Sequence, residues 1–220
     1  MSLFIISWPL FCISFGFMLI LSFFMGLQSK RFYTKDVVVK KFSIMDLEMP
    51  ATARELVNLI KGLYKLPETA SKRSIRALKG QLYLDFLFMP CAYGSIFIIC
   101  MLVSGKMQMN FGMNVFSVLA WLQIVPWVCD IIENVYLLRK IKPDPVVSSD
   151  AVHKAYLIME GVKWSIALIA TVCSVTAICY FWLSGHYAIH SLWFLLTIVI
   201  EVVVFIFLGK LFLKKMKHKI

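Results

Sequence analysis

Asp85, Asp130, Glu133, Glu160 and Lys163 interrupt stretches that are otherwise almost wholly apolar. A carboxylate or ammonium at membrane depth is costly and turns inward to a partner, a hydrated cavity or an ion, so several at one level specify a site. The chemistry open to such a set is narrow. Carboxylates there exchange protons or bind a monovalent or divalent cation. If Asp85, Asp130 and Glu133 hold Mg2+ or Mn2+ while Lys163 contacts phosphate, the same set acts on a lipid headgroup. Asn134, four residues from Asp130, belongs with them, and Asp130 is the deepest acid.

Helical spacing gathers these residues onto faces. Gln81, Asp85, Phe88, Ala92 and Ser95 share one face, and Gln123, Pro126, Asp130, Glu133 and Leu137 form a polar stripe on a second helix. Glu160, Lys163, Ala167, Ala170, Ser174 and Ala177 follow seam spacing on a third, where small residues mark the side on which another helix packs closely. At 1.5 Å per residue, Asp85, Glu133 and Glu160 lie roughly 6 to 8 Å inside the cytoplasmic boundary, with Asp130 and Lys163 about 12 Å in. Pro90 and Pro126 fall deeper and free the carbonyls of Phe86 and Leu122, so both helices are expected to bend.

Charge sets the problem this cluster must solve. Four carboxylates against Lys163 leave three negatives if all ionise, which desolvation and mutual repulsion do not permit. Bound protons, a metal or alkali cation, or guanidinium groups from Arg54, Arg76 or Arg139 are the available neutralisers. The competing reading is structural: hydrated acids near the interface, with Glu160 and Lys163 as an i,i+3 pair that orients a helix. Glu201 stands apart in the middle of another apolar run, with Thr197 at i−4, as a proton carrier or a partner for a neighbouring helix.

The elements that must position these side chains follow from composition. With 220 residues, 60% hydrophobic and 16% charged, the chain is too apolar for a soluble domain and reads as an all-α polytopic membrane bundle. Five transmembrane helices are expected, at about Ser2 to Met25, Leu82 to Val103, Phe111 to Leu138, Ala155 to Leu183 and Ser191 to Phe212. Residues 1-28 hold the first, 29-80 form a basic cytoplasmic segment, and 81-220 carry the other four. The net charge of +11 becomes a topology signal once it is divided among loops. Lysines and arginines crowd 29-80, the loop after the third span and the tail, while only Lys106 lies on the other side. The positive-inside rule then puts the N-terminus out and the C-terminus in, and the location implied is the plasma membrane, or the inner membrane of a bacterium. Nucleic acid is not an expected partner, whereas anionic inner-leaflet lipids are.

The first span lacks a preceding basic residue and a cleavage site, so it reads as an uncleaved anchor. Six cysteines without CxxC spacing, all within spans, read as packing residues. In the cytoplasmic segment, Thr52 with Glu55 has capping-box spacing ahead of Leu56, Leu59, Ile60 and Leu63. This predicts an amphipathic helix at about 52-65 that lies on the inner leaflet or covers the mouth of the bundle. Val37, Val39, Phe42 and Ile44 hint at extended structure without clean alternation. Ser149 or Asp150 caps the fourth span after the irregular Lys142-Pro143-Asp144-Pro145 loop. His186 and His190 have metal-compatible i,i+4 spacing but no acidic companion, and read as a wet turn. P-loop, GxSxG, HExxH and GxGxxG signatures are absent. The leading expectation is a non-enzymatic protein whose cytoplasm-facing acidic cavity binds a cation or proton for transport or sensing. Metal-dependent lipid-headgroup chemistry and a structural subunit of a membrane complex are the alternatives, and a homo-oligomer or another membrane protein is the expected partner.

Overall fold

Apolar runs with few interior helix breakers form long helices, and here such runs dominate. The computed structural model describes residues 6–187 and 189–217, with the side chains of His190 and of residues beyond Phe212 outside the described set. The first residues of the expected first span, the side chain of His190 and the side chains of the tail lysines from Lys214 onward therefore lie outside it. In chain order the elements are α1 (Trp8–Ser29), β1 (Tyr33–Lys35), β2 (Val39–Lys41), α2 (Met45–Glu48), α3 (Ala53–Tyr64), α4 (Glu68–Ser104), α5 (Asn110–Trp121), α6 (Ile124–Lys140), α7 (Asp150–Leu183) and α8 (Leu192–Lys217). A 3-10 turn at Ile189–Ser191 precedes α8. Five helical stretches are long and apolar enough to cross a membrane: Trp8–Ser29, Glu68–Ser104, Asn110–Lys140, Asp150–Leu183 and Leu192–Phe212.

Two of these depart from the sequence expectation in instructive ways. α4 begins at Glu68, well before Leu82, because Pro67 supplies a helix start and Ser71, Ser74, Ala77, Leu78 and Leu82 form a buried stripe at helical spacing. It then runs through Pro90 without a break. The third stretch does break, at Leu122 and Gln123 between α5 and α6. The Gln123 backbone N–H turns to Ala120 O at 3.0 Å, and its side-chain Nε2 donates instead to Leu119 O at 3.0 Å. The side chain thus replaces the bond its own backbone gives up near Pro126.

The chain forms two compact units. Unit one comprises residues 1–23, 88–124 and 166–220. Its core gathers Phe11 and Cys12 of α1, Ile98, Ile99 and Val103 of α4, Phe116 of α5, and Ile178 and Phe181 of α7. Cys100, Ala120 and Ala170 make a smaller close-packed cluster, where small side chains let helices approach. The Ser14 and Ser95 hydroxyls both reach the Cys91 carbonyl, at 3.0 and 2.6 Å.

Unit two comprises residues 24–87 and 125–165. The cytoplasmic segment of the sequence reading builds a core here with α4 and α6: Phe32, Phe42, Leu47, Leu56, Ile60, Leu63, Leu78, Leu82, Leu137 and Ile141. The amphipathic helix forms as α3. Thr52 Oγ1 accepts from the Glu55 N–H at 3.1 Å, and Glu55 Oε2 accepts from the Ala51 N–H at 2.8 Å. Its apolar face, expected either to lie on the inner leaflet or to cover the mouth of the bundle, is spent on this core with α4 and α6. The extended hint resolves into an antiparallel hairpin with Tyr33 opposite Lys41 and Lys35 opposite Val39. Only Thr34 of its central residues turns inward, which is why no clean alternation shows. Thr34 Oγ1 donates to Leu59 O at 2.9 Å.

That close approach needs Gly62. A Cβ there would stand 2.0 Å from Thr34 Oγ1 and 3.0 Å from Lys35 O. Gly62→Ala should therefore lower the melting temperature despite the gain of about 1 kcal/mol in helix propensity. Gly161→Ala, whose Cβ meets nothing within 4 Å, should not. Thermal unfolding of the two purified variants checks the contrast.

Candidate functional site

α6 and α7 bring the site together because each carries its polar residues at three- and four-residue steps. On α6, Pro126, Glu133, Asn134 and Leu137 are buried, with Asp130 on the same side. On α7, Tyr156, Glu160, Lys163, Ala170, Ser174 and Ile178 form the buried line, with Ala167 and Ala177 beside it. Ser149 starts that helix, its Oγ accepting from the Val152 N–H at 3.4 Å.

Lys163 is the centre. Its Nζ lies 2.8 Å from Asp130 Oδ1 and 2.5 Å from Glu160 Oε2, and it also donates to Glu133 Oε2. A protonated lysine has three N–H donors; here Asp130 and Glu133 accept from it, while Glu160 Oε2 pairs with the charge without a hydrogen bond. The side chains of Lys163, Glu133 and Glu160 are 4%, 3% and 1% exposed, so the set is removed from bulk water. Asp85 of α4 accepts from Asn134 Nδ2 at 2.7 Å, which joins α4 to the same group.

A residue that the sequence reading missed completes the arrangement. Glu48, the last residue of α2, lies with Glu133 and Glu160 so that one carboxylate oxygen of each falls within 4.8 Å of the others, a spacing that suits a metal ion. The metal set expected from sequence was Asp85, Asp130 and Glu133. Among the described residues, the structure groups Glu133 instead with Glu160 and Glu48, while Asp85 accepts from Asn134 and Asp130 pairs with Lys163. α2 is held in place by Leu47, which is 1% exposed, and by the buried Pro50. Asp46 Oδ2 accepts from the Ser43 N–H at 2.7 Å at the start of the turn. A four-residue helix has no periodicity to read, so nothing local marked Glu48. Tyr156 could have been found, since it lies four residues before Glu160 on the same seam. Its hydroxyl reaches toward Leu47 O at 3.5 Å, and its ring lies 5.1 Å from that of Tyr136.

The neutralisers can now be sorted. Arg54, Arg76 and Arg139 make no ion pair among the described residues, which removes guanidinium groups from the three options. Glu48 adds a fifth carboxylate around one ammonium. Glu133 Oε1 and Glu160 Oε1 are buried with no hydrogen-bond partner among the described residues, so acceptor capacity is left over. Burial pushes the Glu48 carboxyl from its ordinary 4.5 up to about 7. Lys163 pulls it down, while Glu160, Asp85 and Asp130 raise it further.

Glu201 belongs to unit one. Its Oε1 lies 3.0 Å from where a Gly16 Cβ would stand, so it packs against α1, and its Oε2 is buried without a hydrogen-bond partner among the described residues. Thr197 is not its companion, because its hydroxyl donates to Trp193 O at 2.9 Å. His186 Nδ1 lies 2.7 Å from Ser184 Oγ.

No protein-family model, curated protein sequence or solved structure matches the chain, so the chemistry of the site rests on these residues.

Two outcomes follow from this geometry. Lys163→Met leaves buried carboxylates without their cation and should cost about 3–5 kcal/mol, while adding Glu133→Gln and Glu160→Gln should recover most of it. Denaturant unfolding of the single and triple variants measures both. Between pH 4.5 and about 7 the folded protein keeps a proton on Glu48 that the unfolded chain gives up. This contribution to stability is complete below the lower value and is lost as pH rises through the upper one. Glu48→Gln should flatten that part of the profile of melting temperature against pH.

Proposed function

We propose that the chain is a multi-pass integral membrane protein of the plasma membrane, with N-terminus out and C-terminus in, whose carboxylates around Lys163 bind and release a cation, the proton foremost, in transport or sensing. Five long apolar helices support insertion. So do the many large apolar side chains left exposed along them, among them Phe17, Leu87, Ile132, Leu168 and Val203. The orientation rests on the lysines and arginines concentrated in residues 29-80 and in the loop after the third span.

The observation that carries the reading is the mismatch between Glu48, Asp85, Asp130, Glu133 and Glu160 and the lone Lys163 ammonium. The ammonium already occupies the position between Asp130, Glu133 and Glu160 that a cation would take. A second full charge beside it is opposed by repulsion, whereas a proton on a carboxylate removes charge without adding any. Protons are therefore the favoured neutralisers of the remaining acids. Glu48 is suited to exchange them, because it comes from a short helix outside the long apolar stretches and is the least buried of the Glu48, Glu133 and Glu160 group. A divalent cation would use the same three oxygens and would have to expel the protons first.

Isothermal titration of the purified protein in lipid nanodiscs, with acid and base and then with Mg2+, Mn2+, Na+ and K+, tests this. The expected result is proton uptake near neutral pH that is lost in the Glu48→Gln variant and shifted in the Asp130→Asn, Glu133→Gln double variant. Titration indifferent to that double substitution overturns the proposal, and cation heats that require Glu48 and Glu160 without proton uptake replace the proton with a metal.

A further inference from the structure

A second region, within unit one, has features of a ligand pocket and does not depend on the carboxylate site. A cavity of about 550 Å3 lies between the start of α1, the end of α4 and the segment joining α7 to α8. That volume falls within the range of about 300–1,000 Å3 typical of small-molecule sites. Much of its wall is apolar, including Trp8, Pro9, Met101, Leu102 and Phe194.

The wall is also stiff. Trp8 stacks on Trp182 with ring centroids 5.2 Å apart, lies nearly parallel to Phe194 at 6.2 Å, and meets the Tyr187 ring edge-on at 5.7 Å. Interlocked aromatic rings keep such a pocket open at little entropic cost.

Its polar groups all point to one kind of ligand. Tyr187 Oη is buried with no hydrogen-bond partner among the described residues, and an unsatisfied hydroxyl of that kind costs about 1–3 kcal/mol. Burial raises the pKa of that phenol, so it remains a donor at neutral pH. Lys106 Nζ lies 5.1 Å from the centre of the Tyr187 ring and has no carboxylate within ion-pair distance among the described residues. Ser191 Oγ accepts from Trp182 Nε1 at 3.0 Å, which leaves its own O–H free to donate. A cation, a phenol and a hydroxyl line the cavity without a charged acceptor to answer them. An ammonium ligand would be repelled by Lys106, and a wholly apolar one would leave the Tyr187 hydroxyl unsatisfied.

We propose that this pocket binds a single-chain amphiphile with an anionic head, such as a fatty-acid carboxylate, the head held by Lys106, Tyr187 and Ser191 and the chain lying along Trp8, Leu102 and Phe194. A two-chain phospholipid is too large for the cavity to enclose.

Trp8 and Trp182 report on occupancy once the exposed Trp121, Trp127, Trp164 and Trp193 are replaced by Phe. The experiment uses the full chain in nanodiscs of phosphatidylcholine, with 11-bromoundecanoic acid as a fluorescence quencher and the matching bromo-alcohol as its neutral control. The acid should quench saturably and the alcohol only weakly. Lys106→Gln should weaken the acid's binding about tenfold, and Tyr187→Phe, which keeps the ring, by a similar factor, as loss of one hydrogen bond to a charged group implies. Equal quenching by acid and alcohol, meaning partition into the bilayer only, overturns the proposal. So does unchanged binding in folded Lys106→Gln and Tyr187→Phe protein, with folding checked by thermal melting. Equally strong, Lys106-dependent quenching by a brominated two-chain phosphatidylglycerol overturns the single-chain assignment.

Discussion

The ammonium of Lys163 is the interaction on which unit two depends. Two helices carry three acids to one place, and without a shared cation none of the three could be buried as a charge. Lys163 meets this with N–H donors to Asp130 and Glu133 and a close ion pair with Glu160. The arrangement also sets the register of α6 against α7. A one-residue slip along either helix would rotate an acid away from the ammonium and leave it uncompensated. Buried ion pairs add little net stability over apolar packing of the same shape, but breaking one is severe, so their effect is felt as specificity.

This centre reaches beyond α6 and α7 through two residues. Asn134 ties Asp85, and so α4, to the group. Glu48 arrives from α2, whose neighbours Leu47 and Pro50 are buried. The basic segment between α1 and α4 is therefore part of the architecture that builds the site, not a tether between spans. Phe32 and Phe42, which flank its hairpin, bury a core with Leu47 of α2 and with α3, α4 and α6, and that core holds α2 in place. A carboxylate supplied by such a short helix can change its proton with less disturbance than one fixed midway along a long helix, since fewer backbone hydrogen bonds hold it.

Much of the site could be read from spacing. The polar stripe from Gln123 to Leu137 and the seam from Glu160 to Ala177 are periodic, and periodicity survives folding because the helix is the unit that folds. The interruption before Pro126 was also legible, although the device that heals it, the Gln123 side chain taking the Leu119 carbonyl, was not. Pro90 carried the same sequence signal, yet α4 continues through it. A proline specifies a missing hydrogen bond, and neighbouring groups decide whether the helix stops.

By itself, the sequence determined the long apolar helices, the capped α3, the inward faces of α6 and α7, and the excess of negative charge gathered among them. These are local properties, set by composition, by side-chain period and by the cost of burying a charge. The pairing of Glu160 with Lys163 was local, at i,i+3, but that Asp130 and Glu133 join it, which three oxygens converge, and that Glu48 is one of them were decided only in the tertiary structure. Such choices depend on distances between residues far apart in the chain, as from Glu48 to Glu133 and Glu160, and no local pattern encodes them.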